Sequence, residues 1–195
     1  RVLTVLPRES ARFRWLIRVA GPSEAPKPAR PHDSGSPFIT LPIMSPAIGQ
    51  PAPGFDLPAS TGKNISLASL RGSKVVLQFF PFAFTGICTG ELCDLRDRSL
   101  DFQADDALVL GVSCDSRATL AAFAKAEDLQ MPLLSDFWPH GAVAGAYGVF
   151  LDTLGAANRG TFIIDADGIL RWSVVTGLGE PRDTTDYLKA LAEIG

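Results

Sequence analysis

The stretch KVVLQFF, Lys74–Phe80, is a continuous apolar run stopped by Pro81. Such a run reads as a strand buried on both faces, which restricts the chain to a layered sheet covered on either side. A second run, ALVLGVS (Ala107–Ser113), reads the same way. Between them Cys88, Leu92, Leu95, Leu100 and Phe102 recur near a helical period, predicting a helix over about Thr85–Phe102. SRATLAAFAKAEDL predicts a helix capped by Ser116, and HGAVAGAYGV a short one rich in small residues. Upstream, GFDLPAS and ISLASL flank the turn TGKN as a small N-terminal hairpin. Downstream, GTFIIDADGILRWSVV reads as a hairpin turning on Asp165–Gly168, and PRDTTDYLKALAEI as a closing helix with Asp183 as cap. The order β-β-β-α-β-α-α-β-β-α gives an α/β fold with a central mixed sheet between helices.

With 195 residues, 46% of them apolar, the chain suffices for one domain with a full core. Its net charge of −3 is unevenly spread. Residues 1–43 hold seven basic and three acidic side chains, so the remainder carries −7. An acidic domain without a basic stripe argues against nucleic acid or an anionic membrane as partner. No apolar run reaches the ~18–20 residues needed to span a bilayer. Three cysteines are too few, and odd in number, for a disulfide-stapled secreted fold, so a reducing cytoplasm is the expected location.

Residues 1–43 read as foreign to the rest of the chain. GPSEAPKPARPHDSGSP (Gly21–Pro37) cannot bury enough apolar surface to order itself. A targeting peptide and a disordered regulatory arm are two readings of this stretch. The preferred one makes Met44 the initiator and the upstream residues read-through. The expected division is thus a disordered or non-native extension, 1–43, and a domain, 44–195.

PFAFTGICTGELC, Pro81–Cys93, places two cysteines five residues apart where a strand hands over to a helix. A structural zinc site wants four ligands in closely spaced pairs, whereas Cys114 is isolated and His140 is the domain's one histidine. A resting disulfide between Cys88 and Cys93 is also disfavoured. Five helical steps separate the Cα atoms by ~8.6 Å, beyond the ~7 Å that a disulfide can bridge. A bond there requires local unwinding, which suits a transient link. The third reading is a reactive thiol. Amides at a helix start favour a thiolate at Cys88, Thr85 can offer a hydroxyl over the sulfur, and Pro81 can wall the site. Cys114, at the end of an apolar strand, reads as core.

The spacing Pro81-x-x-x-Thr85-x-x-Cys88 resembles the signature of peroxiredoxins, thiol peroxidases built on a thioredoxin-like fold. FPFAFTGICTGEL, PLLSDFWPHGAVAGAYGVF and ANRGTFIID are similar to the AhpE-type branch, in the same order, over roughly Met44–Gly195. The resemblance implies that Cys88 attacks the peroxide and becomes a sulfenic acid, with Thr85 hydrogen-bonding sulfur and peroxide. It also implies that Arg159, otherwise a solvated charge at a strand start, stabilises the thiolate and the developing charge. Glu91 either positions Arg159 or is a surface residue. AhpE-like enzymes are resolved by an outside thiol, but Cys93 occupies the resolving position of bacterioferritin-comigratory relatives. Cys93 is therefore expected to close a Cys88–Cys93 disulfide, with a buried bystander as the alternative. The resemblance further implies a peroxide substrate, a thioredoxin-like or low-molecular-weight thiol reductant, a homodimer, and no metal, flavin or haem. Rival readings are a thiol–disulfide oxidoreductase, against which Thr85 stands where a first cysteine would be, and a metal-binding module using Cys88, Cys93 and His140.

Overall fold

The computed structural model describes residues 45–194. The expected boundary at Met44, and every reading of residues 1–43, lie outside the described residues. The chain runs through β1 (Asp56–Pro58), β2 (Asn64–Ser66), β3 (Lys74–Phe79), α1 (Gly86–Asp97), α2 (Ser99–Ala104), β4 (Ala107–Ser113) and α3 (Arg117–Ala126). It continues through β5 (Leu133–Ser135), α4 (Ala142–Ala146), β6 (Phe150–Leu151), β7 (Ala156–Ala157), β8 (Arg159–Ile164), β9 (Leu170–Thr176) and α5 (Thr184–Glu193).

Five strands form the central sheet in the order β5-β4-β3-β8-β9. The pairs β3–β4 and β4–β5 are parallel, while β8 and β9 return antiparallel. This is the expected mixed sheet between helices. Strand alternation splits the core in two. Leu77 and Phe79 of β3 face one layer, with Leu110, Tyr147 and Phe162. Val76 and Phe80 face the other, with Leu92, Phe123, Ile163 and Leu191. Each fully buried Leu or Phe contributes about 1.5–3 kcal/mol, so β3 is stabilised from both sides.

The N-terminal hairpin forms as expected, β1 against β2, with Ala59 and Lys63 bonded across its turn. The late hairpin turns where expected, and Gly168, at φ 72°, takes the left-handed position. Ser116 and Asp183 cap α3 and α5 through their side chains. Three features depart from expectation. The helix predicted over Thr85–Phe102 is two helices, broken at Arg98, and Leu100 is 76% exposed while Phe102 is buried. β5 adds a third parallel strand from LLS, and β6 with β7 forms a small extra hairpin.

Candidate active site

The parallel strands β3 and β4 end side by side, and the chain leaves β3 through Pro81, which is buried. Proline has no N–H to give a ladder and so closes the strand cleanly. The loop Phe82–Thr85 then turns into α1. Phe84 sits at φ 61°, a conformation a bulky residue rarely adopts, and its ring lies 4.9 Å from that of Phe123. Thr85 takes the extended N-cap conformation but gives α1 no side-chain bond. Its hydroxyl donates to the Phe82 carbonyl at 2.9 Å.

Cys88, in the first turn of α1, is fully buried. Arg159, the first residue of β8, is 4% exposed and points Nη1 to within 3.5 Å of Cys88 Sγ. The guanidinium is held from two other directions. Nε donates to Leu178 O at 2.8 Å, and Nη1 donates to Glu91 Oε2 at 2.7 Å. Glu91 follows Cys88 by three residues, so both lie on one face of α1.

Arg182, just before α5, joins the cluster without a signal in the sequence. Its Nε and backbone N–H donate to Glu91 Oε1 at 3.0 and 2.9 Å, and Nη2 donates to Oε2 at 2.8 Å. Nη1 reaches Phe79 O and Thr161 Oγ1. Thr161 in turn donates to Tyr187, whose ring meets Trp172 edge-on at 5.7 Å. Burial alone would raise the Glu91 carboxyl, but the hydrogen bonds and charge of Arg182, with the charge of Arg159, outweigh it and hold the group below its usual range. The buried set thus contains two guanidiniums and one carboxylate, an excess of one positive charge. Cys88 sulfur stands beside Arg159, one of the two guanidiniums that share this carboxylate.

Cys88, Glu91 and Arg159 are therefore brought together, while Pro81 closes β3 and Thr85 stands at the N-cap of α1, three residues before Cys88. Cys93 is not in this cluster. It is half-buried, and its Sγ faces Glu127 Oε2 at 3.9 Å. Cys88, Cys93 and Cys114 are all free thiols. Cys114 is buried, and burial together with the nearby Asp136 charge pushes its thiol up to about 11. His140 is exposed and engages Gly155 O and Phe137 O. Among the described residues no three His, Cys, Asp or Glu side chains gather as a metal site. Among those residues, too, no helix is long and apolar enough to cross a membrane.

The fold is a thioredoxin-like sheet, and at the end of its central strands a buried thiol lies beside a buried guanidinium. The AhpC/TSA family pattern matches residues 48–173. Alkyl hydroperoxide reductase E of Mycobacterium tuberculosis is 46% identical over 148 residues, covering 75% of this chain and 97% of that protein. The crystal structure of the peroxidoxin BcpB from Mycobacterium tuberculosis superposes with a TM-score of 0.70 at 33% identity, covering 77% of this chain and 99% of that one. Reduced 2-Cys peroxiredoxin from Plasmodium vivax gives 0.70 at 27% identity, covering 75% and 81%. The chain belongs to the AhpC/TSA peroxiredoxin family and is a thiol peroxidase, which spends thiol electrons on a peroxide.

Proposed function

We propose that Cys88 is the peroxidatic nucleophile and that Arg159 is its charge partner. The observation that carries this is the charge imbalance around the sulfur. Glu91 is shared between both buried guanidiniums, which leaves the cluster one negative charge short, and Cys88 sulfur, beside Arg159, is the group that supplies it as a thiolate. The thiolate attacks the hydroxyl oxygen of ROOH, the O–O bond breaks, and RO⁻ leaves with a proton from solvent as ROH. Sulfur is oxidised to S–OH and the peroxide reduced by two electrons. Arg159 donates toward the negative charge as it moves from sulfur to the leaving oxygen. Thr85 binds the peroxide hydroxyl, and Pro81 keeps water from the sulfur. Glu91 positions Arg159.

Cys93 then attacks the Cys88 sulfenic sulfur, expelling water and leaving a disulfide. Both cysteines lie on the continuous helix α1, so its first turns must unwind for the bond to form. A thioredoxin-like dithiol or a low-molecular-weight thiol returns the pair to the reduced state. Phe82, Phe84 and Ile87 are exposed beside the site and suit the alkyl part of an organic hydroperoxide, while hydrogen peroxide and peroxynitrite need no such contact. A homodimer follows from the family resemblance, and the sparse, free cysteines support a reducing cytoplasm.

The test is peroxide consumption driven by dithiothreitol. Cys88→Ser is expected to abolish it, and Arg159→Lys to slow it by about tenfold or more, because lysine lacks the planar fork. Wild-type consumption by Cys88→Ser would reject the assignment.

A further inference from the structure

Asp115 follows β4 and is clamped between two buried serines. Its Oδ2 accepts from Ser113 Oγ at 2.9 Å, its N–H donates back to Ser113 Oγ at 3.2 Å, and its carbonyl accepts from Ser135 Oγ at 2.6 Å. The same Oδ2 accepts from Ala83 N at 2.8 Å. The Ala83 N–H and the Phe82 C=O are two ends of one planar peptide group. That carbonyl is the one to which the Thr85 hydroxyl donates.

We infer that Asp115 is a positioning residue, which sets the direction of the Thr85 hydroxyl through the Phe82–Ala83 peptide. A carboxylate faces an N–H and repels a carbonyl, so Asp115 permits one sense of that peptide. With the Phe82 carbonyl turned toward Thr85, the hydroxyl proton is committed to it. The remaining lone pairs of Oγ1 then accept the O–H of the incoming hydroperoxide, whose oxygen keeps its hydrogen as it becomes S–OH. A flipped peptide would present N–H to Thr85 and reverse the hydroxyl, spending a lone pair that the peroxide requires.

The inference rests on Thr85 binding the peroxide, and the test separates the two ideas. Rates of Cys88 oxidation by hydrogen peroxide and of alkylation by iodoacetamide are measured for reduced wild type, Thr85→Val, Asp115→Ala, Asp115→Asn and the double variant Thr85→Val/Asp115→Ala. Thr85→Val and Asp115→Ala are each expected to slow peroxide oxidation about tenfold, the rate equivalent of one hydrogen bond. Alkylation, which needs no O–H acceptor, stays within about threefold. Asp115→Asn restores most of the rate, because the amide oxygen still accepts from Ala83. The double variant is no slower than Thr85→Val. Failure of Thr85→Val to slow oxidation overturns the peroxide-binding role of Thr85, and this inference with it. Slow Thr85→Val beside an unaffected Asp115→Ala, multiplied effects in the double variant, alkylation falling in parallel, or Asp115→Asn as slow as Asp115→Ala each overturns the inference alone. Should Asp115→Ala not fold, Ser113→Ala replaces it. A partial loss that vanishes in the Thr85→Val background supports the inference, and an equal loss in both backgrounds rejects it.

Discussion

Arg159 and Arg182 meet on a single oxygen: Glu91 Oε2 accepts from Arg159 Nη1 at 2.7 Å and from Arg182 Nη2 at 2.8 Å. One carboxylate thus ties the start of β8 and the approach to α5 onto the helix that carries Cys88. Replacing it with a neutral amide would leave two buried guanidiniums facing each other. Glu91→Gln is expected to lower unfolding stability by about 3–5 kcal/mol, the range for breaking a buried ion pair. The midpoint of urea denaturation measures it.

The same carboxylate predicts a direction in pH. Its folded value is depressed, so the stability it contributes is present above its ordinary value of 4.5 and is lost as pH falls through the lower folded value. Between about pH 5 and pH 3 the wild type should lose stability more steeply than Glu91→Gln, measured as urea midpoints across that range. Parallel curves would remove Glu91 from the account.

Much of this site is legible in the sequence, because the residues around Cys88 lie close together along the chain. Pro81, Thr85, Cys88 and Glu91 fall within one strand-to-helix turn, and Arg159 is marked by ANRGTF. Arg182 has no comparable signal. It sits alone in EPRDTT, 91 residues beyond Glu91, and only the packing of α5 against the sheet brings it in. Asp115 is likewise unmarked in the sequence, lying between Cys114 at the end of a strand and the helix cap Ser116. β5 escapes a reading of the sequence because three residues carry too little pattern; pairing with Gly111–Ser113 makes LLS a strand. Leu100 misleads the helix reading, since an exposed leucine after the break at Arg98 happens to continue the period.

Cys93 tests how the sulfenic acid is resolved. After one equivalent of peroxide, the wild type is expected to show a Cys88–Cys93 disulfide by peptide mass mapping. Cys93→Ser should instead retain a trappable sulfenic acid at Cys88, with turnover dependent on added thiol. A persistent sulfenic acid in the wild type would assign resolution to an outside thiol.

Cys114 serves as an internal reference. Burial, reinforced by the charge of Asp136, pushes its thiol up to about 11, so it stays protonated and inert at neutral pH. Iodoacetamide should label it only in denaturant or as pH approaches that value, with site-resolved mass spectrometry as the readout. Labelling of the folded protein at neutral pH would contradict the burial argument.

The most direct measurement is to locate the first oxidation event. Reduced protein is mixed with substoichiometric hydrogen peroxide, quenched with a sulfenic-acid trap and mapped by mass spectrometry at the earliest accessible times. The charge-balance account predicts that the adduct forms at Cys88 first and is lost in Cys88→Ser. An adduct arising first at Cys93 or Cys114, with Cys88 still a free thiol, would contradict it.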